Sequence, residues 1–202
     1  MSRPRPKVKR SRALGIPLTR KCVPYFERRP YPPGEHGRAR RKETDYALRL
    51  KEKQRLREQY NVSETQLRRT FDDARRREGK TGSNLVSLLE RRLDAIVWRS
   101  GIARTIYQAR QLVVHRHITV NGQRVDRSSY RLAVGDEVSV APRSRTLPPF
   151  LVAAEGANAP DSTPSYLDVQ LTDLRVQLLA EPSRPLVPII CDEAMVVEYY
   201  SR

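Results

Sequence analysis

Three sets of side chains in this 202-residue sequence have types that could do chemistry. The adjacent carboxylates Asp72-Asp73 and Asp192-Glu193 have the composition of a general acid–base pair. Neighbours on a helix project about 100° apart, however, so they do not converge on one substrate atom. His115 and His117 are two residues apart, which on a strand puts both rings on one face. Two imidazoles with no nearby cysteine or third histidine make a poor zinc site, and an RNA-facing pair is the better reading. Cys22 and Cys191 lack the C-x-x-C partners that coordination requires, and no glycine-rich phosphate loop, nucleophile elbow or H-E-x-x-H motif occurs. No enzyme signature remains, and neither a metal site nor a cofactor is expected.

What remains is charge. The chain carries 39 Lys and Arg against 23 Asp and Glu, a formal net charge of +16 before its 3 histidines are counted. With a sequence pI near 10.5, such a surface repels itself unless a polyanion neutralises it, and nucleic acid is the leading partner. Of the cations 32 are Arg, whose planar fork binds phosphate bidentately and stacks on bases. A GC-rich genome writes the same ratio, so it counts weakly. No run of about 18 apolar residues, lipidation motif or basic amphipathic helix points to a membrane. The first 45 residues hold 14 basic side chains and no apolar stretch longer than two, so no secretory leader is expected. Two distant cysteines fit a reducing cytoplasm.

The cations are unevenly placed. Residues 1–45 carry 14 basic and 4 acidic side chains, 46–82 carry 11 and 6, and 83–150 carry 11 and 5, whereas 151–202 carry 3 and 8. The RNA-contacting surface is thus expected in the first two-thirds of the chain. In the arm the candidates are Arg3, Arg5, Lys7, Lys9, Arg10 and Arg12, then Arg28, Arg29, Tyr31, His36, Arg40 and Arg41. Lys42, Arg49, Lys53, Arg55, Arg68 and Arg69 extend the set along the helices that follow. Tyr25, Phe26, Tyr31, Tyr46 and Tyr60 lie among these charges and are candidates for stacking on unpaired bases.

The elements that must position these groups follow from pattern. An apolar fraction of 38% is below the roughly 45–50% usual in globular domains, so one or two domains with modest cores are expected. Residues 1–41, punctuated by prolines and without apolar periodicity, read as an irregular arm that orders when its phosphates are present. Within it, Arg28-Arg29-Pro30-Tyr31-Pro32-Pro33-Gly34-Glu35-His36-Gly37 reads as a shaped loop. Thr44 caps a helix striped by Tyr46, Leu50, Leu56 and Tyr60. Ser63-Glu64-Thr65-Gln66 is a capping box opening a second helix that stops at Gly79. A third runs from Gly82-Ser83 through Leu85, Leu89, Leu93 and Val97 to Gly101. Thr105-Ile106-Tyr107-Gln108 opens a fourth. The period then changes to two: Ile118, Val120, Asn121-Gly122 and Val125 predict a type I′ hairpin, and Leu132, Val134, Gly135-Asp136, Val138 and Val140 a second strand pair. Ala153 to Ser165 reads as a loop, Tyr166 to Leu171 as a strand that Leu174, Val176 and Leu178 extend, and the apolar tail around Met195-Val196-Val197 as a docking segment.

Leu93-Asp94, Arg104-Thr105, Ala109-Arg110-Gln111-Leu112-Val113, His117-Ile118-Thr119-Val120-Asn121-Gly122 and Val125-Asp126 together resemble the small RNA-binding domain named after ribosomal protein S-four. Some pseudouridine synthases, tyrosyl-tRNA synthetases and stress proteins carry that domain too. The loop from Arg28 to Gly37, Glu52-Lys53-Gln54-Arg55-Leu56-Arg57 and the ending Val197-Glu198-Tyr199-Tyr200-Ser201-Arg202 extend the resemblance, end to end, to the bacterial S-four family of small-subunit ribosomal proteins.

The resemblance implies an α+β chain: a basic extended N-terminal arm (1–41), a mostly helical domain of residues 42–82 completed by 180–202, and an inserted module (83–179) of two helices against a small, mainly antiparallel sheet with its extension. It implies a structural, non-enzymatic protein of the cytoplasmic ribosome that binds 16S rRNA, nucleates assembly of the subunit body, meets the fifth small-subunit protein at an interface affecting accuracy, and neighbours other small-subunit proteins and the mRNA path. A membrane partner and homo-oligomers are not implied. Carried over residue by residue, the module's RNA face is Arg104, Gln108, Arg110, Gln111, Arg116, His117 and Arg124. Many family members hold zinc or an iron–sulfur centre in an N-terminal cysteine cluster. Only Cys22 remains here, so a metal-free version is expected. The competing readings are an RNA-modifying enzyme anchored by the module, for which the 52 residues after Phe150 are too few, and a free RNA chaperone or translational repressor.

Overall fold

The computed structural model describes residues 6–39, 42–160 and 162–201; Arg3, Arg5, Arg40 and Arg41 of the RNA-binding candidates lie outside them. In chain order the helices are α1 (Lys7–Leu14), α2 (Val23–Arg28), α3 (Asp45–Gln59), α4 (Glu64–Arg75), α5 (Thr81–Glu90), α6 (Leu93–Arg99), α7 (Ile106–Val114), α8 (Pro148–Ala154) and α9 (Glu193–Tyr200). The strands are β1 (Ile118–Val120), β2 (Gln123–Arg124), β3 (Glu137–Val140), β4 (Leu167–Gln170) and β5 (Arg175–Leu178). The α+β class expected from the sequence is what forms. Packing divides the chain into one unit of Met1–Leu67 with Ile189–Arg202 and a second of Arg68–Pro188, the division falling inside α4.

In the first unit the arm is not irregular, in contrast to the sequence reading. Its helix α1 lacks an apolar period, but Leu14, Ile16 and Leu18 bury together behind it. Ser11, fully buried, ties the turn: its Oγ donates to the Lys7 carbonyl at 3.0 Å and accepts from the Leu18 N–H at 3.1 Å. A few buried apolar groups and one satisfied hydroxyl therefore offset chain entropy that composition alone would leave uncompensated. Helix α3 is capped as expected, Thr44 Oγ1 accepting from the Ala47 N–H, and buries Leu56. The docking expected of the tail is α9 on α3. Asp192 caps α9 by accepting from the Ala194 and Met195 N–H groups, and its own N–H donates to Glu52 Oε2 at 3.0 Å. The capping box of α4 closes both ways, Ser63 Oγ accepting from the Gln66 N–H and Gln66 Oε1 from the Ser63 N–H.

The second unit holds a five-stranded antiparallel sheet in the order β2-β1-β3-β5-β4. Ile118 lies opposite Val140 and Val120 opposite Val138, while Val176 faces Val138 on one side and Val169 on the other. The Asn-Gly hairpin is as predicted: Asn121 (φ +49°) and Gly122 (φ +79°) supply the two positive angles of a type I′ turn. Buried Leu93, Ile96, Val97, Ala109 and Val113 fill the packed pair α6 and α7. The single helix expected from 83 to 101 is broken instead into α5 and α6. Arg92 turns extended (φ −69°, ψ 141°) and bridges Arg131, so the Leu93 N–H bonds the Tyr130 carbonyl at 2.8 Å and the Leu132 N–H the Arg91 carbonyl at 2.9 Å. The strand expected at Leu132–Val134 is spent on that bridge and on a turn in which Asp136 Oδ2 accepts from the Ala133 N–H. Residues 148–154 form α8, whose last two residues, Ala153 and Ala154, the sequence pattern assigns to the start of a loop; Pro148 and Pro149 occupy a first helical turn that needs no N–H donors.

Candidate nucleic-acid interface

On the second unit the candidate face is built on α7 and the segment that leaves it. Thr105 Oγ1 caps the helix by accepting from the Gln108 N–H at 3.2 Å, and Gln108 Oε1 accepts from the Arg104 N–H at 2.9 Å. The cap thus fixes the helix N-terminus beside exposed Arg104, with half-buried Gln108 and Arg110 and exposed Gln111 on the helix itself. After α7, Arg116 adopts φ +63°, which swings its side chain out, and Nε and Nη2 both reach Asp126 Oδ2 at 3.1 and 3.0 Å. At 69% exposure for Arg116 this pair is worth under about 1 kcal/mol, so Asp126 aims the guanidinium without retaining it. His117 is half-buried: Nδ1 is 2.9 Å from Ser144 Oγ, and the ring packs edge-on to Phe150 at 5.9 Å. Arg124 stands exposed on β2 beyond the hairpin turn. The face therefore carries cations at both ends of α7 and on β2, while His117 is held by its own unit.

Beneath it, Arg92 grips Asp94 with two parallel bonds, Nε and Nη2 to the two carboxylate oxygens at 3.0 and 2.9 Å. Burial pushes the Asp94 carboxyl above its ordinary value, and the Arg92 charge, with Arg110 adding to it, works the other way. The pair is structural and holds the α6 N-terminus.

On the first unit, the predicted cations separate into two groups. Arg10 is paired with Glu58, Arg49 with Glu198, and Arg55 with Glu52 while its Nε donates to the Leu14 carbonyl. Lys53, only 4% exposed, donates to Glu64 Oε2 at 2.9 Å and lies 4.6 Å over the Tyr199 ring. Arg12 reaches back to the loop after α2, described below. These five spend charge inside the unit. Lys7, Lys9, Arg28, Arg29, His36 and Lys42 are exposed; on the part of α4 that belongs to the second unit, so are Arg68, paired with Asp72, and Arg69. Of the stacking candidates, Tyr60 is fully buried core, because it ends α3 on the face that packs inward. Tyr46 packs 5.9 Å from Tyr199. Tyr25 and Tyr46 are nonetheless 55% and 56% exposed.

Sequence reasoning passed over Arg38, whose guanidinium lies 4.7 Å over the Tyr31 ring and whose Nη2 donates to the Tyr31 hydroxyl at 3.3 Å. That hydrogen bond holds the phenol below its ordinary value. Its place directly after Gly37 in the shaped loop was the available signal. Arg143 was passed over as well; it is exposed beside Ser144, the residue that fixes His117.

Glu64 joins two elements of the first unit, accepting from Lys53 through Oε2 and from the Tyr200 hydroxyl through Oε1 at 2.8 Å. Burial, the largest influence, raises its carboxyl, but the Lys53 and Tyr200 hydrogen bonds and the Lys53 and Arg57 charges together hold it below the ordinary value. Its folded value thus lies under its unfolded one, so its contribution is present above the unfolded carboxylate range and is lost as pH falls through the folded value. Glu64→Gln is therefore expected to flatten the fall in thermal midpoint between about pH 6 and pH 3. Equal pH dependence in the variant and the parent would remove Glu64 from this role.

Among the described residues, no group of three or more His, Cys, Asp or Glu side chains is placed to hold a metal ion. Cys22 is buried with Sγ 3.1 Å from Thr19 Oγ1, so the residues present do not fit the metal cluster that many family members hold. No described helix is long and apolar enough to cross a membrane.

Comparison with known proteins divides the chain between residues 90 and 91. Residues 3–90 match the family described as ribosomal protein S4/S9 N-terminal domain, and residues 91–138 match the S4 domain. The chain is 63% identical over 199 residues to a small ribosomal subunit protein uS4 of Streptomyces avermitilis, covering 98% of each. It is 61% identical over 199 residues to the protein of that name in Streptomyces griseus, again covering 98% of each. With the one in Streptomyces coelicolor it shares 60% identity over 202 residues, all of this chain and 99% of the relative.

Proposed function

This chain belongs to the uS4 family of small ribosomal subunit proteins, and from that membership we propose that it is a structural RNA-binding component of the small subunit, with no reaction to catalyse. Its partner is 16S rRNA, its place is the cytoplasmic ribosome, and its role is to bind early and nucleate assembly of the subunit body. We take the functional division to be arm 1–41, helical domain 42–82 with 180–202, and module 83–179. The fifth small-subunit ribosomal protein and the mRNA path are its expected neighbours, through which it contributes to accuracy.

The observation that carries this reading is the end-to-end likeness to relatives bearing one name, across the arm, α3, the module and the tail. The distribution of charge supports it. The exposed cations stand on folded elements, Arg104 at the start of α7 and Arg28 and Arg29 at the end of α2, which is how a protein that reads RNA shape positions phosphate contacts. The enzyme alternative has no observation in its favour.

Sedimentation of a cell lysate tests the reading. The chain is expected to travel wholly with the small subunit at near one copy per particle. A dominant free pool, or comigration with modified tRNA, would overturn it.

A further inference from the structure

Three consecutive residues of α1 each hold a different part of the first unit. Arg10 pairs with Glu58 of α3, Ser11 fixes the turn to Leu18, and Arg12 reaches the loop that follows α2. Arg12 Nε donates to the carbonyls of Arg29 and Tyr31, each at 3.0 Å, and Nη2 to that of Pro32 at 3.4 Å. Its guanidinium also lies 4.9 Å over the Tyr31 ring.

The loop needs such a donor. Pro30, Pro32 and Pro33 have no N–H, so the segment cannot satisfy its own carbonyls by local backbone pairing. A planar guanidinium offers several N–H groups in a fixed fork and can lie flat on an aromatic ring while it donates, which a lysine ammonium cannot. The Pro32 carbonyl is held from the other side as well: a Cβ at Gly37 would stand 2.1 Å from that oxygen, so the loop closes on itself there only because residue 37 is glycine. The Gly37 N–H in turn bonds the Gly34 carbonyl at 3.2 Å.

We propose that Arg12 is a positioning residue for RNA binding, setting the backbone of residues 29–32 so that the flanking Arg28, Arg29 and His36 are presented in a fixed arrangement, and that it is not a phosphate ligand. The proposal rests on the RNA-binding reading above. Presetting the loop removes ordering entropy from the binding step, so losing Arg12 weakens RNA binding through groups it does not itself bring to the RNA.

The test compares the full chain with Arg12→Lys and Arg12→Met, measuring affinity for intact 16S rRNA and, in the free proteins, amide hydrogen exchange of residues 31–39. Arg12→Lys keeps the charge and the aliphatic stem. It is expected to lose about tenfold in affinity, on the order of one strong hydrogen-bonded contact, to match Arg12→Met in that loss, and to exchange faster through the loop with an unchanged thermal transition. Parental affinity in Arg12→Lys overturns the proposal and makes Arg12 a point-charge contact to phosphate. Parental exchange through the loop in Arg12→Lys also overturns it. If Arg12→Met does not fold, Arg12→Lys decides alone. Failure of the parent chain to bind 16S rRNA would sink the underlying functional reading, whereas a change confined to the variants bears on Arg12 only.

Discussion

Raising monovalent salt from about 50 to 200 mM is expected to lower the affinity of this protein for 16S rRNA by about 10³–10⁵-fold. The size follows from counting. Lys9, Arg28, Arg29, Lys42, Arg69, Arg104, Arg116 and Arg124 are all exposed, so on the order of 6–10 phosphates can be neutralised at once, and each releases condensed counterions. The slope of log affinity against log salt should shrink by about 0.7–0.9 when one of these, such as Arg104, is replaced by Ala. It should not shrink in that way for Lys53→Met, because that ammonium is already committed to Glu64. Titration of labelled 16S rRNA at four or five salt concentrations measures both. An affinity nearly independent of salt would remove the electrostatic mechanism.

Glu90→Ala is expected to destabilise the second unit by about 3–5 kcal/mol, the usual cost of breaking a buried ion pair from one side. Glu90 is fully buried, and Oε1 receives both Arg99 Nε and, at 2.8 Å, the Tyr166 hydroxyl. Burial first, then the Glu90 charge and hydrogen bond, raises the Tyr166 phenol far above its ordinary value, so it stays protonated and serves as a donor. Removing the carboxylate takes from the buried Arg99 guanidinium and the buried phenol the acceptor they share. Tyr166→Phe removes one donor to a charged acceptor and should cost about 1.5–3 kcal/mol. Replacing both ions by apolar residues of similar volume should recover most of the loss. Urea unfolding followed by circular dichroism ranks the three, and a loss below about 1 kcal/mol for Glu90→Ala would show that the site collapses or hydrates on its own.

What could be read from residues alone was whatever is decided within four positions. The Thr44 cap, the Ser63–Gln66 box, the Thr105 cap and the Asn121-Gly122 turn are bonds between a side chain and its own local backbone, and all four form. The break between α5 and α6 was not legible because the Tyr130 and Leu132 backbone groups that compete for Arg91–Leu93 are some forty residues away. The helix α1 was hidden by its composition, since its stability lies in Ser11 and the Leu14, Ile16 and Leu18 cluster rather than in an apolar stripe. The candidate site divides in the same way. Which residues are cations is plain from the sequence. Which of them are already occupied depends on distant carboxylates: Glu58 takes Arg10 and Glu198 takes Arg49.

The docking of α9 on α3 also sets an order of events. Every residue of the second unit lies between these helices in the sequence, so their contact is strongly non-local and carries a large loop-closure cost. On the ribosome that makes the chain, the second unit has all of its strands and helices in hand before α9 has been synthesised. The second unit is therefore expected to fold before α9 docks, leaving the face of α3 that α9 covers open until the last turn of helix emerges.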